Sequence, residues 1–442
     1  MKIGRKTGDD GYRFSRIMYI IEAALEYFIS IAVGTVYLAR LTAYIGFSDA
    51  LTGILTSFVS LGCGFQLIAV FLANKHPVKR RVTAWHILSQ TFFALIYFIP
   101  LTEISVQVKT VLFVVILLVA QIVHNAINAP KTNWFMALVE DGKRGRFTAN
   151  KEIVSLVGGM AFSYGLGALI DHFEACGDLR TAFVFCGAGL MALMVFHSLT
   201  LIFSKEKPYE GGEEKSAGQR IGALLKNKAL FKIILISVLW NIANYATLSF
   251  SGTYQAKELA FSAAFSSMII MAGSFARVLF SRPLGAFGDK FSFAKMITLC
   301  FIAEALAYGV NLFTVPGNGK ILYTVHYILY CIGLAGVNSA PINLVYDYVE
   351  YSQRTGALAL LQTFGGVAGF LATLCLSPLV TFIQENGNRF LGMEIYAQQL
   401  MSAISLLFTL ALIVYMCTVI GKLKKTQKPK EREEESEQIA EG

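Results

Sequence analysis

Twelve apolar stretches dominate the chain, each near the 20 residues that a helix needs to cross the hydrocarbon core of a bilayer. They fall at roughly 17–39, 49–73, 82–101, 106–129, 148–170, 181–203, 229–252, 261–282, 294–314, 321–345, 357–383 and 395–420, and are called spans 1 to 12 below. Lipid offers no hydrogen bonds, so each span must pair its own N–H and C=O groups, as an α-helix does. Short alternating strands, the mark of a membrane β-barrel, are absent from the pattern. The expected fold class is therefore an all-α membrane protein with twelve transmembrane helices. Composition agrees. The chain is 55% hydrophobic and 15% charged, against about 25% charged in soluble domains.

The net charge of +9 is a matter of topology. With the N-terminus placed in the cytoplasm, only Arg40, Lys109, Arg180, Lys257, Lys320 and Arg389 of the 38 Lys and Arg fall on the outer side. That is a strong positive-inside pattern, so both termini are expected in the cytoplasm of a multi-pass plasma-membrane protein. It also removes the case for nucleic acid as partner. The seven cysteines are odd in number and form no CxxC, so neither a disulfide framework nor a zinc site is expected. Span 1 carries Glu22 and Glu26, a poor core for a cleaved leader, and is read as a retained helix.

The polar residues inside the spans carry the functional argument. An ionisable group within a membrane helix is costly and is a functional candidate by default. Glu26 and Glu304 are the candidates for coupling a proton or another cation, whereas Glu22 stands close enough to the inner end to pair with Arg13 or Arg16. In span 4, Gln121, His124, Asn125 and Asn128 form one stripe at i, i+3, i+4 and i+7. That helix is expected to run out at Ala129-Pro130 into a charged loop. Asn241, Asn244 and Tyr245 share a face of span 7, and span 10 carries Tyr330 and Asn338. These residues, with Glu26, are the candidates for binding a small polar solute. No Lys or Arg is expected mid-membrane in spans 1, 4, 7 and 10, which leaves an anionic solute without a clamp. No HExxH, GxSxG or phosphate loop is present, so an enzyme is not expected, nor any cofactor or metal.

The two halves of the chain repeat each other. Ala129-Pro130, Val139-Glu140 and Arg144-Gly145 recur as Ala340-Pro341, Val349-Glu350 and Arg354-Thr355-Gly356, the two prolines standing 211 residues apart. A fixed offset near half the length indicates two similar halves. The polar stretch 204–228 is poor in apolar residues and reads as a cytoplasmic linker. The expected domains are thus a six-helix half at 1–203, the linker at 204–228, a second half at 229–420 and a disordered charged tail at 421–442. Small residues make ridges on span 5 (Gly159, Ser163, Gly167) and span 11 (Gly365, Gly369, Thr373, Ser377), expected where the halves meet.

The loop between spans 8 and 9 reads Gly285-Ala286-Phe287-Gly288-Asp289-Lys290-Phe291-Ser292-Phe293-Ala294-Lys295. It resembles the loop signature of the major facilitator superfamily, with Gly285, Asp289 and Lys290 matching and Ser292, Phe293 and Ala294 departing. The loop between spans 2 and 3 is a degenerate second copy, with Asn74 in place of the acid. The resemblance implies two pseudo-symmetric halves around a central cavity, with spans 1, 4, 7 and 10 lining it. It implies a gate at the cytoplasmic face, to which Asn74, Arg144, Arg146, Asp289, Lys290, Asp347, Glu350 and Arg354 would belong. The segment Asp347–Glu350 followed by Arg354 is locally similar to the melibiose-type glycoside cation symporters, but the acidic cation site of those proteins on spans 2 and 4 has no counterpart here.

The implied function is secondary active transport of a small polar, sugar-like or otherwise neutral solute by alternating access, coupled to a proton or another cation, by a monomer in the bilayer. A multidrug or metabolite efflux antiporter and a non-transporting membrane sensor on the same scaffold are the alternatives. Span 5 lacks the Gly-Pro pair of the proton antiporters, which weighs against the first of these.

Overall fold

A computed structural model describes residues 10–67, 78–139, 144–207, 224, 226–337, 344–345, 348–349 and 354–423. The described residues are helical almost throughout. Span 1 is a bent pair, α1 (Arg13–Ala32) and α2 (Thr35–Ile45), turning by 42° at residues 33–34. Gly34 sits at the bend, where a Cβ would lie 3.0 Å from the carbonyl oxygen of Ile31. Span 2 is α3 (Asp49–Thr56) and α4 (Phe58–Gly64). Spans 3 to 6 are α5 (Val78–Leu95), α6 (Val106–Met136), α7 (Arg144–Ala175) and α8 (Leu179–Phe203). Spans 7 to 12 are α9 (Lys228–Thr253), α10 (Ala263–Lys290), α11 (Phe293–Asn311), α12 (Gly319–Val337), α13 (Arg354–Glu385) and α14 (Ala397–Thr418). The hairpin β1 (Arg389–Phe390) and β2 (Met393–Glu394) closes the loop before α14.

Among the described residues, nine helices are long and apolar enough to cross a membrane, and the bent pair makes a tenth. The other two expected spans are α3–α4, which is shorter, and α5, which begins with three cations and buries His86 and Gln90. Helix starts follow local chemistry. Ser48, Ser105, Asp178, Asn227, Ser262 and Ser292 each accept a hydrogen bond from a backbone N–H of the first turn of the helix they precede.

The end of α6 differs from the expected boundary. The helix continues through Pro130 to Met136. Proline removes one backbone donor, but its neighbours hold the line, as in many membrane helices. The residues after Pro130 are therefore part of the bundle.

Small residues set how closely the helices approach. A Cβ on Gly158 would lie 2.6 Å from the Phe28 ring of α1. On α13, a Cβ on Gly366 would run into the Ser60 carbonyl and come within 3.0 Å of the Gly64 amide on α4. Gly167 gives the same room on α7 against the Ala263 carbonyl of α10, at 2.8 Å. The two ridges therefore face both ways: Gly167 and Gly369 meet the opposite half, while Gly159 and Gly365 meet helices of their own half.

Among the described residues, polar ties between the halves gather at the end of the bundle away from the termini. Both carboxylate oxygens of Asp171 on α7 accept from the first amides of α10, Ala263 at 2.7 Å and Ala264 at 2.8 Å. The Arg40 guanidinium donates to the Phe261 carbonyl at 2.5 Å and to Glu174 at 2.9 Å. Asp49 pairs with Lys257 and accepts from Gln384 at 2.7 Å. Deeper in the same seam, the Tyr37 hydroxyl meets the Ser267 hydroxyl at 2.7 Å and donates to the Ser163 carbonyl at 2.6 Å. Toward the terminal end, the ion pair across the same two helices is looser, with Arg277 and Glu152 at 3.7 Å and both part-exposed or exposed.

Candidate functional site

Six ionisable side chains from four helices of the first half converge in one buried cluster. Glu22 and Glu26 stand four residues apart on α1 and so project from one face. His86 comes from α5, His124 and Lys131 from α6, and His197 from α8. Lys131 is the hub. Its ammonium donates to Glu22 Oε1 at 2.8 Å and pairs with Glu26 Oε2, with His86 Nε2 at 3.2 Å. Glu22 Oε1 also receives His197 Nε2 at 3.1 Å and lies 3.3 Å from His86 Nε2. Glu26 turns its other oxygen, Oε1, to His124 Nε2 at 3.3 Å. Gln90 backs His124 at 3.5 Å.

Burial is graded across the cluster. The side chains of Glu22, His86 and His197 are fully buried and that of Lys131 is 3% exposed, whereas those of Glu26 and His124 keep 17% and 21%. The last two are thus the accessible edge of an otherwise sealed network. With the imidazoles neutral, the cluster holds two carboxylates and one ammonium, an unbalanced negative charge. One added proton restores neutrality, which a low-dielectric interior favours. Spare capacity is present for it. Glu22 Oε2 and the Nδ1 atoms of His86 and His197 are buried without a hydrogen-bond partner among the described residues. His197 Nε2 must donate to the Glu22 carboxylate. His86 Nε2 lies between an acceptor and a donor and so can serve in either sense. The ligand atoms of Glu22, Glu26, His86 and His197 lie within 4.8 Å of one another, a spacing that could hold a metal ion. The Lys131 ammonium sits among them, so the cation in this cage is the protein's own.

The cluster corrects two sequence expectations and adds one residue. Glu22 turns into the bundle, where its partners are Lys131, His86 and His197. Lys131 places a cation inside span 4, where none was expected. His197 was not singled out at all. A signal for Lys131 was present: it stands seven residues after His124, on the same helical stripe. The proline between them concealed it by suggesting that the helix had ended.

The remaining candidates scatter. Gln121 and Asn125 are buried; Asn125 packs against Gly62 and lies 3.4 Å from both Cys63 and Gln66 on the span 2 side. Asn128 is half-buried. Asn241 donates to the Ser237 carbonyl beside Gly365, and Tyr245 lies against Gly369, so both face α13. Asn244 and Tyr330 meet at 2.8 Å on the wall of a separate cavity in the second half. Glu304 is fully buried in the second half, its carboxyl seated against Gly333 of α12 with both oxygens unpartnered among the described residues.

Of the gate candidates, Lys290 is exposed and lies 5.5 Å over the Phe291 ring. Arg144, Arg146, Asp289 and Arg354 lie in α7, α10 and α13, but their side chains, like all of Asn74, Asn338, Asp347 and Glu350, fall outside the described residues.

Comparison with known proteins places this geometry. The family model of the Major Facilitator Superfamily matches residues 17–373. The nucleoside transporter NupG superposes with a TM-score of 0.70 at 16% identity, covering 93% of this chain and 100% of NupG. The xylose transporter XylE from E. coli gives 0.67 at 12% identity over 95% of this chain and 100% of its own. An auto-inhibited peptide transporter of the POT family gives 0.69 at 13% identity over 94% and 98%. A search of the curated proteins finds no match.

Proposed function

Because the chain belongs to the Major Facilitator Superfamily, a family of transporters rather than enzymes, we propose that it is a secondary active transporter of a small polar solute, driven by a proton carried on the Lys131 cluster. The observation that carries this reading is the graded network: four sealed groups in contact with two that are open to their surroundings. Glu26 and His124 would pass the proton in and out, and Lys131 would shift between Glu22 and Glu26 as the proton comes and goes. A coupled step of this kind needs two arrangements of one element, each favoured by a different charge state. The ties at the distal end are consistent with one of them, closed there.

The distribution of Lys and Arg supports placing both termini in the cytoplasm of the plasma membrane, so the distal end would face outward. The solved neighbours include proteins described as a nucleoside transporter, a D-xylose-proton symporter and a peptide transporter, which sets the panel of solutes to try.

The test is uptake of labelled uridine, xylose and dialanine by proteoliposomes, with and without an imposed pH gradient. Uptake of at least one is expected to rise with the gradient and to lose that dependence in Glu26→Gln and Lys131→Gln, while passive counterflow persists. Gradient dependence unchanged in both variants would remove the cluster from coupling.

A further inference from the structure

The Lys131 cluster stands on an apolar layer. Each of its sealed members has a large side chain one helical turn nearer the terminal end. Tyr19 precedes Glu22 by three residues on α1, and Val82 precedes His86 by four on α5. On α6, Lys131 is followed by Trp134 and Phe135, and on α8, His197 is followed by Leu201. All five are buried and pack together in one core, with Leu201 at 0% exposure and Phe135 at 1%. Beneath them the starts of α1 and α5 are tied to the segment that leaves α8. The Lys205 amide donates to Ser15 Oγ at 2.9 Å and the Val78 amide to Glu206 at 2.8 Å, while the Trp134 indole N–H reaches the Lys205 carbonyl at 2.9 Å.

The layer is dense and offers no relay. Phe135 stacks on both Tyr19 and Trp134, with centroids 4.2 and 4.4 Å away, and the Lys151 ammonium of α7 lies 5.1 Å over the Tyr19 ring. On α8, the hydroxyls at this level are turned back on their own helix. Thr200 donates to the His197 carbonyl at 2.6 Å and Ser204 to the Thr200 carbonyl at 2.7 Å. A proton crosses a protein along water and exchangeable polar groups, and a buried water needs both space and about 2–4 polar partners. Packed rings and aliphatic chains supply neither. The accessible edge of the cluster lies the other way. Glu26 stands one turn beyond Glu22 and His124 about two turns from Lys131, both toward the distal end.

We propose that Tyr19, Val82, Trp134, Phe135 and Leu201 form a proton-tight floor, which leaves the cluster a single door at Glu26 and His124. A site with one door is reached from one compartment at a time. The floor therefore keeps a proton gradient from draining through the protein while no solute moves. It sets the tightness of coupling without touching either the solute or the proton. This inference rests on the proton-carrying reading of the cluster.

The experiment is proton flux into solute-free proteoliposomes of the full chain, driven by a potassium diffusion potential with valinomycin and read by trapped pyranine. Wild-type flux is expected to match that of protein-free liposomes. Leu201→Ser and Phe135→Ala make room for water beneath the cluster, and each is expected to raise the flux about tenfold. Leu201→Ile, which keeps the layer filled and apolar, is expected to stay at background. Adding Glu26→Gln to either leaky variant is expected to abolish the leak, because the proton must still pass the door, whereas a leak from loosened packing alone would persist. Circular dichroism and melting temperature check that each variant is folded; if Phe135→Ala is not, Leu201→Ser, the smaller change, decides. Wild-type flux above the liposome background, background flux in the folded variants, or a leak indifferent to Glu26→Gln would overturn the floor. Gradient-driven uptake in the wild type with no leak in the variants would remove the floor alone. A Glu26-dependent leak without gradient-driven uptake would leave the floor and remove the coupling reading.

Discussion

Lys131 decides the character of the first half. Its ammonium is the fixed positive charge among two carboxylates and three imidazoles, of which Glu26 and His124 alone keep part of their surface exposed. Removing one partner of a buried ion pair costs about 3–5 kcal/mol, since the other charges are left uncompensated. Lys131→Met is therefore expected to lower the melting temperature strongly in thermal denaturation of the purified protein, and adding Glu22→Gln to restore much of the loss. A double variant no more stable than the single one would show that Glu22 and Lys131 are not energetically coupled. Glu304 is the opposite case, a buried carboxyl with no partner among the described residues. Burying an unsatisfied polar group costs about 1–3 kcal/mol. Glu304→Leu should thus raise thermal stability by that order, and a fall would mean that the carboxyl has a partner it needs. Sequence alone singled out Glu304, Glu26 and His124, because a charged or polar residue in an apolar run is conspicuous. It passed over Lys131 because proline ordinarily ends a helix, and His197 because nothing in its own span points to it; its role comes from residues 66 to 175 positions away that only the fold assembles.

At the scale of elements, the ends and crossings of helices carry the specificity. Serine, asparagine and aspartate caps stand where many of the helices begin, and the starts of the spans were legible to within about four residues, whereas the ends of spans 4 and 8 run seven or eight residues further than hydropathy indicates. The bend at Gly34 and the continuation past Pro130 were not legible, since both depend on how neighbours satisfy the backbone. Asp171 has a role that its own helix does not reveal. It caps α10 from α7, joining an acid to a helix N-terminus in the other half. Such a cap is worth about 0.5–2 kcal/mol, and here the energy is held only while the distal end is closed. Asp171→Ala is expected to shift the population toward distal opening, seen as longer spin-label distances between α7 and α10 at that end. Unchanged distances would mean that Arg40 and Asp49 hold the closure without it. Where α4 and α13 cross, Gly366 lets the backbones touch. Gly366→Val has no such space and should abolish folding into a monodisperse species in size-exclusion chromatography.

Across the whole molecule, the apolar helices and the two similar halves could be read directly, because the bilayer imposes length and the repeat recurs at a fixed offset. The chemical inequality of the halves could not. One half gathers its ionisable groups into a salt-bridged knot, and the other lines a small uncharged cavity with tyrosine. Both arrangements use residues that look alike in sequence: a histidine or a glutamate in an apolar run. Only the neighbours across the bundle distinguish a charge that is answered from one that is not.

The loop that ends α7 gives this architecture a chemical address. Cys176 is exposed beyond the last turn of that helix, at the end where the halves are tied, and all seven cysteines are free thiols. A maleimide that cannot cross membranes would reach Cys176 from one compartment only. Modification of Cys176 in intact cells, abolished in Cys176→Ser, would show which compartment faces the clamped end. Protection in intact cells with labelling after permeabilisation would reverse the assignment. The direction in which the solute must travel to meet the closed end would then follow from a single thiol.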